Sequence, residues 1–353
     1  MVGFVARRTT RGEIVMRAFV LTGPRSFEVQ DVPPPVATPG GVVIDVQRVG
    51  VCGTDVEFFT GEMQYLHEGH ARFPMRLGHE WMGTVSAVGE GVDGAWLGRR
   101  VTGDTMLGCG VCRRCLQGNQ HVCEFRKEVG IRDNFPGALA EQLAMPLTAL
   151  NPLPDSVDDV LGALVEPGGN ALRSVRAANL QPGDRALVLG PGTIGLLVGM
   201  IAQSQGAEVH LMGRSPRSLE FARTLGFDGV WTEDELPDVP WDAVIDASNA
   251  PNLPAQALEL VEPAGRVVYV GLAGSPSLID TRTLALKDVT SVGILSASPG
   301  LAGTIDLYAS GAVDPRPLVA AVAGLDAVGS ILAGDRLVGS GAGPKMHIDP
   351  RIV

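Results

Sequence analysis

Four of the five cysteines in this 353-residue sequence fall within fifteen residues of one another, at Cys109, Cys112, Cys115 and Cys123. The spacing supplies four thiolates from one loop, which is enough for a closed tetrahedral zinc site. Such a site keeps no open coordination position, so its predicted role is to hold a loop that has little core of its own. The density favours this interpretation over four unrelated or redox-active thiols, and it is typical of a reducing compartment, so we expect a cytoplasmic protein.

The remaining cysteine belongs to a second candidate set. Cys52 lies in GVCGTD, His79 and Glu80 follow in GHE, and Glu166 comes much later, in VEPGGNAL. Cysteine, histidine and carboxylate are ligands that a catalytic zinc accepts while a fourth position stays open for water or substrate. Taken singly, a residue such as Cys52 is most often a buried small hydrophobe, and one such as His79 a satisfied core histidine. The sequence alone does not bring these side chains together.

A glycine-rich turn marks a candidate dinucleotide site. It follows an apolar strand and opens a helix, which is the context that gives a G-x-G-x-x-G pattern its meaning. The first glycine permits the tight turn, the second lets the backbone approach a pyrophosphate, and the third lets helix and strand pack closely. The helix N-terminus adds free N–H groups. The predicted contacts are Gly190, Pro191, Gly192, Thr193 and Ile194, with Gly195 completing the pattern.

The end of the following strand predicts which dinucleotide binds. An NAD enzyme usually places an aspartate or glutamate there, on the ribose 2′-hydroxyl. This sequence instead has Gly213, which leaves space, Arg214, which offers a planar fork of donors, and Ser215, which adds a hydroxyl. We therefore expect NADP(H) to be preferred over NAD(H). In the alternative, Arg214 and Arg217 only solvate the start of a helix.

The elements that must position these residues fall into two kinds. From Met16 to about Leu150, short apolar runs broken by Gly, Pro and Asp predict a β-rich domain. From Gly183, strand and helix patterns alternate until Gly293, which predicts a parallel sheet with helices on both faces. The fold class is therefore α/β. The last apolar run, before Pro350, could rejoin the first domain.

Charge and hydropathy exclude several classes of protein. The net charge of −11 argues against a surface for nucleic acid or for an acidic membrane. The uncharged run 186–207 contains a Gly-Pro-Gly break, so it predicts a buried strand, turn and helix rather than a membrane span. Residues 1–15 have no apolar core of a signal peptide and are interpreted as an N-terminal extension.

Taken in order, GVCGTD, GHE, the four-cysteine loop, VEPGGNAL and GPGTIG resemble the zinc-dependent medium-chain dehydrogenases of the alcohol dehydrogenase superfamily. The similarity is strongest to the branch of sorbitol, threonine and glucose dehydrogenases. It implies a GroES-like catalytic domain from residues 16–165 and 299–353, a Rossmann dinucleotide-binding domain from residues 166–298, and a homodimer or homotetramer.

The resemblance also implies roles for individual residues. Cys52 and His79 would bind a catalytic zinc, and Glu166 matches the third ligand position, so that two zinc ions bind per chain. Glu80 matches a glutamate that binds the metal directly in some relatives and alternates with water in others. Thr54 matches a hydroxyl that hydrogen-bonds the substrate oxygen.

Other positions depart from the family pattern or border its cleft. Glu57 stands where many relatives carry a relaying histidine: it could accept the proton, bind a substrate hydroxyl, or be an ordinary solvated carboxylate. The segment with Tyr65, His67 and Glu68 borders the family's cleft and either contacts a polar substrate or is plain surface loop. The predicted cofactor contacts also include Leu272, Ile294 and Leu295.

The predicted function is therefore hydride transfer between NADP(H) and a secondary alcohol or ketone of a polyol, sugar, cyclitol or amino alcohol. The predicted partner is this small molecule, with no nucleic acid and no membrane. An NAD-dependent threonine-type dehydrogenase is the enzymatic alternative, which Arg214 disfavours. A zinc-free quinone or enoyl reductase is disfavoured by the metal-type residues. A dinucleotide-binding protein without catalysis is the alternative from another class.

Overall fold

The computed structural model describes residues 7–8 and 12–352 and divides into two compact units. Unit 1 contains the described residues up to Glu166, together with 319–341 and 345–352, whereas unit 2 contains 167–318 and 342–344. The predicted extension 1–15 lies partly outside the described residues. Its described part contributes Arg7–Arg8, which pair with a strand that begins at Ile14. Residues 299–318 group with unit 2, although we assigned them to the other domain by sequence. Their helix packs on residues 168–176: Gly168 faces Tyr308, and Gly303 faces Leu172.

Eighteen strands are present in the described residues. They are β1 (Arg7–Arg8), β2 (Ile14–Gly23), β3 (Ser26–Val32), β4 (Gly41–Gly50), β5 (Glu80–Val88), β6 (Arg100–Gly103), β7 (Met106–Leu107), β8 (Lys127–Glu128), β9 (Gln142–Pro146), β10 (Leu150–Pro152), β11 (Arg185–Leu189), β12 (Glu208–Met212), β13 (Gly229–Trp231), β14 (Trp241–Asp246), β15 (Val261–Tyr269), β16 (Thr290–Gly293), β17 (Val319–Ala323) and β18 (Lys345–Ile348).

Eleven α-helices accompany them in the same part of the chain. They are α1 (Gly53–Thr60), α2 (Gln64–His67), α3 (Arg113–Leu116), α4 (Asp159–Ala163), α5 (Val165–Ala178), α6 (Thr193–Ser204), α7 (Pro216–Arg223), α8 (Leu253–Leu260), α9 (Thr281–Leu286), α10 (Leu301–Ala309) and α11 (Val328–Leu332).

Unit 1 is built around a seven-stranded sheet in the order β10-β6-β5-β4-β18-β17, with β9 also paired to β4. The apolar run of β4 is largely buried because it is central in this sheet and contributes to the core together with the fully buried Trp81 and Phe58. The C-terminal strand β18 pairs antiparallel with β4, where Ile348 lies opposite Val49. The end of the chain thus rejoins the β-rich unit, which is what brings a distant lysine beside the site described below.

Unit 2 contains a six-stranded sheet in the order β13-β12-β11-β14-β15-β16, in which every neighbouring pair is parallel. The predicted α/β class with a parallel sheet is confirmed. The uncharged run 186–207 divides into most of β11, a turn, and α6, and most apolar residues of both elements are buried. Within the described residues, no helix combines the length and apolar character needed to cross a membrane. Because parallel strands end at one edge, the loops after β11, β12, β15 and β16 lie along the same side of the sheet.

Candidate active site

The four-cysteine loop forms a compact thiol cluster. One Sγ atom from each of Cys109, Cys112, Cys115 and Cys123 lies within 4.8 Å of all the others. The Sγ atoms of Cys109 and Cys115 are 4.0 Å apart, and those of Cys112 and Cys123 are 3.8 Å apart. Tetrahedral Zn–S bonds of about 2.3 Å place sulfur atoms roughly 3.8 Å apart. The separations therefore fit a four-thiolate zinc site.

Backbone N–H groups favour the thiolate form of one cysteine in this loop. Hydrogen bonds from the backbone of Val111 and Cys112 lower the pKa of Cys109 to about 6. Burial and the hydrogen bonds of neighbouring thiols raise the pKa of Cys115 to about 12. Cys109 therefore ionises readily whereas Cys115 resists ionisation, and a bound cation would favour the thiolate form of both.

The second set of candidate ligands meets at the junction of two adjacent strands. The register of the antiparallel pair places Gly50, the last residue of β4, opposite Glu80, the first residue of β5. Cys52 follows β4 as the N-cap of α1, and His79 directly precedes β5, so the two lie side by side. One ligand atom from each of Cys52, His79 and Glu80 lies within 4.8 Å of the other two. These residues, far apart in sequence, form one cluster.

Asp55 connects the two segments that carry these ligands. Its side chain is fully buried and accepts hydrogen bonds from the backbone N–H groups of Cys52, at 2.9 Å, and Gly78, at 3.2 Å. Its Oδ1 also faces Nδ1 of His79 at 3.7 Å, and this buried nitrogen has no hydrogen-bond partner. Burial alone would lower the pKa of His79, but Asp55 and Cys52 outweigh it and raise that pKa. The cluster therefore favours positive charge, as a cation site requires.

Glu80 is held from behind by a lysine. Nζ of Lys345 donates to both carboxylate oxygens of Glu80 at 2.7 Å and to the carbonyl of Val51 at 3.0 Å. The Lys345 and Glu80 side chains are only 3% and 1% exposed. Gly50 makes this arrangement possible, because a Cβ atom there would collide with Oε2 of Glu80. The charge of Glu80 is thus already compensated before any metal binds.

Glu166 lies near this cluster but outside the three-residue group. It lies in the first turn of α5 and is buried. Burial raises the pKa of Glu166 to about 7; the charge of His79 acts in the opposite direction, and that of Glu80 adds to the increase. Glu166 is thus close enough to both residues to feel their charges. A divalent cation would favour its ionised form.

The two candidate proton-transfer groups are on α1. Thr54 is partly buried in the first turn of the helix, two residues after Cys52. Glu57 lies one turn further and reaches solvent, yet partial burial and the charge of Glu62 raise its pKa. A carboxyl group with a raised pKa holds a proton more readily than an ordinary glutamate, as a group that receives and releases a proton must.

The glycine-rich turn has the geometry that a dinucleotide pyrophosphate needs. Gly190 has φ +98°, which favours glycine, and its N–H donates to the Met212 carbonyl at 2.9 Å. Gly192 is the N-cap of α6, with no heavy atom within 4 Å of the place where a Cβ would stand, so its backbone is open to a ligand. A Cβ at Gly195 would collide with the Gly190 carbonyl, which shows how closely helix and turn pack.

The residues predicted to select the dinucleotide lie beyond β12. Arg214 and Arg217 are exposed, and within the described residues neither has an ion-pair partner. Ser215 is the N-cap of α7, and its hydroxyl accepts from the Ser218 N–H at 3.5 Å. At Gly213, a Cβ would come within 2.6 Å of the Pro191 ring, so this glycine accommodates Pro191 as well as leaving space at the strand end.

The remaining predicted cofactor contacts follow the other strands at the same edge. Leu272 comes after β15 and is 74% exposed. Ile294 and Leu295 directly follow β16, and the Ile294 N–H donates to the Tyr269 carbonyl. The fold thus brings the predicted contacts, separated by about a hundred residues, to the carboxyl edge of one sheet.

Two residues that contact the candidate ligands were not assigned a role from sequence. Asp55 was visible as the last letter of GVCGTD, and its spacing from Cys52 is the N-cap to N3 spacing of a helix start. Lys345 offered no local signal, because it is 265 residues from its partner Glu80.

Two regions of the chain match models of protein families. Residues 38–155 match the model of the alcohol dehydrogenase GroES-like domain, and residues 193–310 match that of zinc-binding dehydrogenases. Among solved structures, a protein from Sinorhizobium meliloti described as a zinc-binding dehydrogenase bound to NADP superposes with a TM-score of 0.86 at 26% identity. The match covers 95% of this chain and 99% of that one.

Curated relatives cover most of the chain. A 2-dehydro-3-deoxy-L-galactonate 5-dehydrogenase of Pseudoalteromonas atlantica is 33% identical, over 88% of this chain and 92% of the relative. An L-threonine 3-dehydrogenase of Idiomarina loihiensis is 31% identical, over 75% and 79%. A sorbitol dehydrogenase of Halalkalibacterium halodurans is 32% identical, over 80% and 85%. With a GroES-like and a Rossmann-type domain, as predicted, the chain belongs to the zinc-type medium-chain alcohol dehydrogenases.

Proposed function

We propose that this alcohol dehydrogenase transfers hydride between NADP(H) and a secondary alcohol or ketone of a polyol, sugar, cyclitol or amino alcohol, with a catalytic zinc. The observation that carries the proposal is the convergence of Cys52, His79 and Glu80 within 4.8 Å. The curated relatives, which act on sugar-acid, polyol and amino-alcohol substrates by their names, support the substrate range.

The donor set suits a catalytic zinc with one open position. Nδ1 of His79 faces Asp55, which leaves Nε2 for the metal and matches the carboxylate–histidine–zinc arrangement. We assign Glu166 as the third ligand, because both oxygens of Glu80 already accept hydrogen bonds from Lys345. The thiolate and Glu166 then supply two negative charges, which balance the dication.

When bound, zinc supplies a Lewis acid for the substrate oxygen, and the nicotinamide supplies the hydride acceptor. The chain itself must remove the proton of the substrate hydroxyl. We propose that Oγ1 of Thr54 hydrogen-bonds this hydroxyl and passes the proton outward, and that the Glu57 carboxylate receives it at the rim. The raised pKa of Glu57 suits that role, since the group can then hold a proton before releasing it to solvent.

We propose NADP(H) as the preferred cofactor on the basis of charge at the carboxyl end of β12. Within the described residues, Arg214 and Arg217 have no carboxylate partner, and the residues directly after the strand include no acid that could accept from a ribose 2′-hydroxyl. A 2′-phosphate would bring the missing negative charge. Two zinc ions per chain, a homo-oligomer and a cytoplasmic location belong to the same proposal.

Metal content and a cofactor-resolved substrate screen test the proposal. The purified protein should contain two zinc ions per chain, and Cys52→Ser should retain only one. Polyols, sugars and amino alcohols should reduce NADP⁺ faster than NAD⁺ at equal concentrations. Threonine oxidation with NAD⁺ alone would favour the threonine-type alternative. Binding of a dinucleotide with a single zinc and no turnover would favour a non-catalytic protein.

A further inference from the structure

An arginine in unit 1 stands on a pre-ordered aromatic platform. The guanidinium carbon of Arg132 lies 5.5 Å from the centre of the Tyr65 ring. Its Nη2 is 3.3 Å from Nδ1 of His70, and the His70 ring packs edge-on against Tyr65 at 5.6 Å. The Tyr65 hydroxyl is itself fixed, because it accepts from Arg126 at 3.1 Å and donates to Glu128 at 3.2 Å. The Arg132 side chain therefore loses little freedom on binding a ligand.

The positive charge of Arg132 is uncompensated. Within the described residues no carboxylate lies within 4 Å of its guanidinium, and its buried Nε has no hydrogen-bond partner. The neighbouring Arg126, by contrast, pairs with Glu128 at 2.7 Å. Acids outnumber basic residues by 39 to 28 in this chain, so an arginine without an acid partner is not explained by a shortage of carboxylates.

The loop that carries Arg132 packs against the segment that carries His79. A Cβ at Gly130 would stand 2.9 Å from the Gly78 carbonyl, and the Ala138 N–H donates to the same carbonyl at 2.8 Å. Gly78 directly precedes His79, so Arg132 is two residues from a backbone contact with the candidate metal site.

A second arginine adds positive charge to the same segments. Arg76 lies three residues before His79, and its carbonyl accepts from the Gly137 N–H at 3.0 Å. Its side chain makes no hydrogen bond or ion pair with the described residues, and burial lowers its pKa. Arg76 and Arg132 are thus two arginines without a carboxylate partner among the described residues, on segments joined by backbone hydrogen bonds.

We propose that Arg132 binds a carboxylate of the substrate, so that the alcohol oxidised is a polyhydroxy acid rather than a neutral polyol. The inference rests on the proposed function and narrows its substrate class. A guanidinium offers paired donors in one plane, which matches a carboxylate, and an ionised pair of this kind is stronger than a neutral hydrogen bond. The contacts with Tyr65 and His70 hold the guanidinium in one position before any ligand binds.

The test compares substrates of one chain length that differ only in the terminal group. Hexonates such as gluconate, galactonate and idonate are assayed against the matching hexitols and against sorbitol 6-phosphate. We expect at least one hexonate to exceed its hexitol in kcat/KM. Arg132→Gln should lower kcat/KM for that hexonate about 10- to 100-fold, mainly through KM, and change the hexitol value by less than about 2-fold. Arg132→Lys should recover part of the loss.

Arg72→Gln is the matched control. Arg72 is exposed on the neighbouring segment, and among the described residues only its backbone forms hydrogen bonds, both with Asn134. Equal kcat/KM for every hexonate and its hexitol, a preference for the phosphate, or equal losses in Arg132→Gln and Arg72→Gln would each overturn the inference. Calorimetric titration with the hexonates distinguishes failure of the carboxylate subsite from failure of the proposed reaction. Arg132-dependent binding without turnover would support this subsite and count against the proposed reaction, whereas turnover of neutral alcohols only would do the reverse.

Discussion

Replacement of Asp55 by asparagine should weaken the binding of the catalytic metal while the fold survives. The buried carboxylate accepts from the N–H groups of Cys52 and Gly78 and faces Nδ1 of His79. An asparagine of the same shape keeps one acceptor oxygen, so one of the two backbone donors loses its partner. The amide also carries no charge that could stabilise a proton on Nδ1 of His79.

The size of the effect follows from these contacts. A buried donor left without an acceptor costs about 1–3 kcal/mol in the free energy of unfolding. Loss of the partner that orients a metal-binding histidine lowers metal affinity about 10- to 100-fold. That range corresponds to roughly 1.4–2.7 kcal/mol. We therefore expect Asp55→Asn to lose the catalytic zinc to a chelator at a concentration about 10- to 100-fold lower than the wild type.

The assay is a chelator titration that follows the two metal ions separately. Asp93→Asn is the control, because Asp93 also accepts a backbone N–H in unit 1 but is exposed. In both variants the zinc of the four-cysteine loop should resist the chelator as in the wild type. If Asp55→Asn kept both ions at wild-type affinity, or lost both together, the reasoning about Asp55 would be refuted.

Three further predictions concern other parts of the molecule. Arg214→Gln should lower kcat/KM with NADP⁺ about 10-fold or more and leave the NAD⁺ value within about 3-fold, which initial rates with both cofactors would test. Cys112→Ser should reduce the zinc content by one ion and expose the loop to protease while Cys52-dependent metal binding persists; unchanged zinc content would contradict the assignment. Burial lowers the pKa of His347 to about 3, so the native protein keeps this ring neutral while the unfolded chain takes up a proton below about pH 6.5. The free energy of unfolding should thus fall as the pH drops from about 6.5, by at most about 1.4 kcal/mol per pH unit. In urea unfolding, His347→Phe should remove this part of the pH dependence. Parallel curves of stability against pH for both proteins would contradict the prediction.

The fold and the cofactor turn were predictable because their signals are local. The alternation of apolar strands and helical patterns after Gly183 predicts a parallel sheet, which the structure confirms. Gly190 has φ +98°, and a Cβ at Gly195 would collide with the Gly190 carbonyl, so both requirements show in the sequence as the absence of a side chain. The boundary after residue 298 was less predictable, because the helix of residues 301–309 follows the last strand of the sheet and still packs on unit 2.

The residues that cluster at the candidate metal site stand in recognisable motifs, whereas the residues that support the cluster do not. Cys52 and His79 stand in short motifs, whereas the contact between Lys345 and Glu80 depends on β18 returning beside β4. No spacing rule relates residues 265 positions apart. Even the role of Gly50 becomes visible only when the register places Glu80 opposite it.

The buried pair of Lys345 and Glu80 also sets the net negative charge around the proposed zinc ion. That charge affects both how tightly the ion binds and how strongly it polarises the substrate oxygen. Glu80 without its lysine would place a third negative charge beside Cys52 and Glu166, which would overcompensate a dication and weaken it as a Lewis acid. With Lys345 in contact at 2.7 Å, the pair is neutral and the remaining two charges match the ion. Removing one partner of a buried ion pair typically costs about 3–5 kcal/mol, so the fold itself selects for keeping both. The same buried contact therefore fixes the charge that the substrate oxygen would meet.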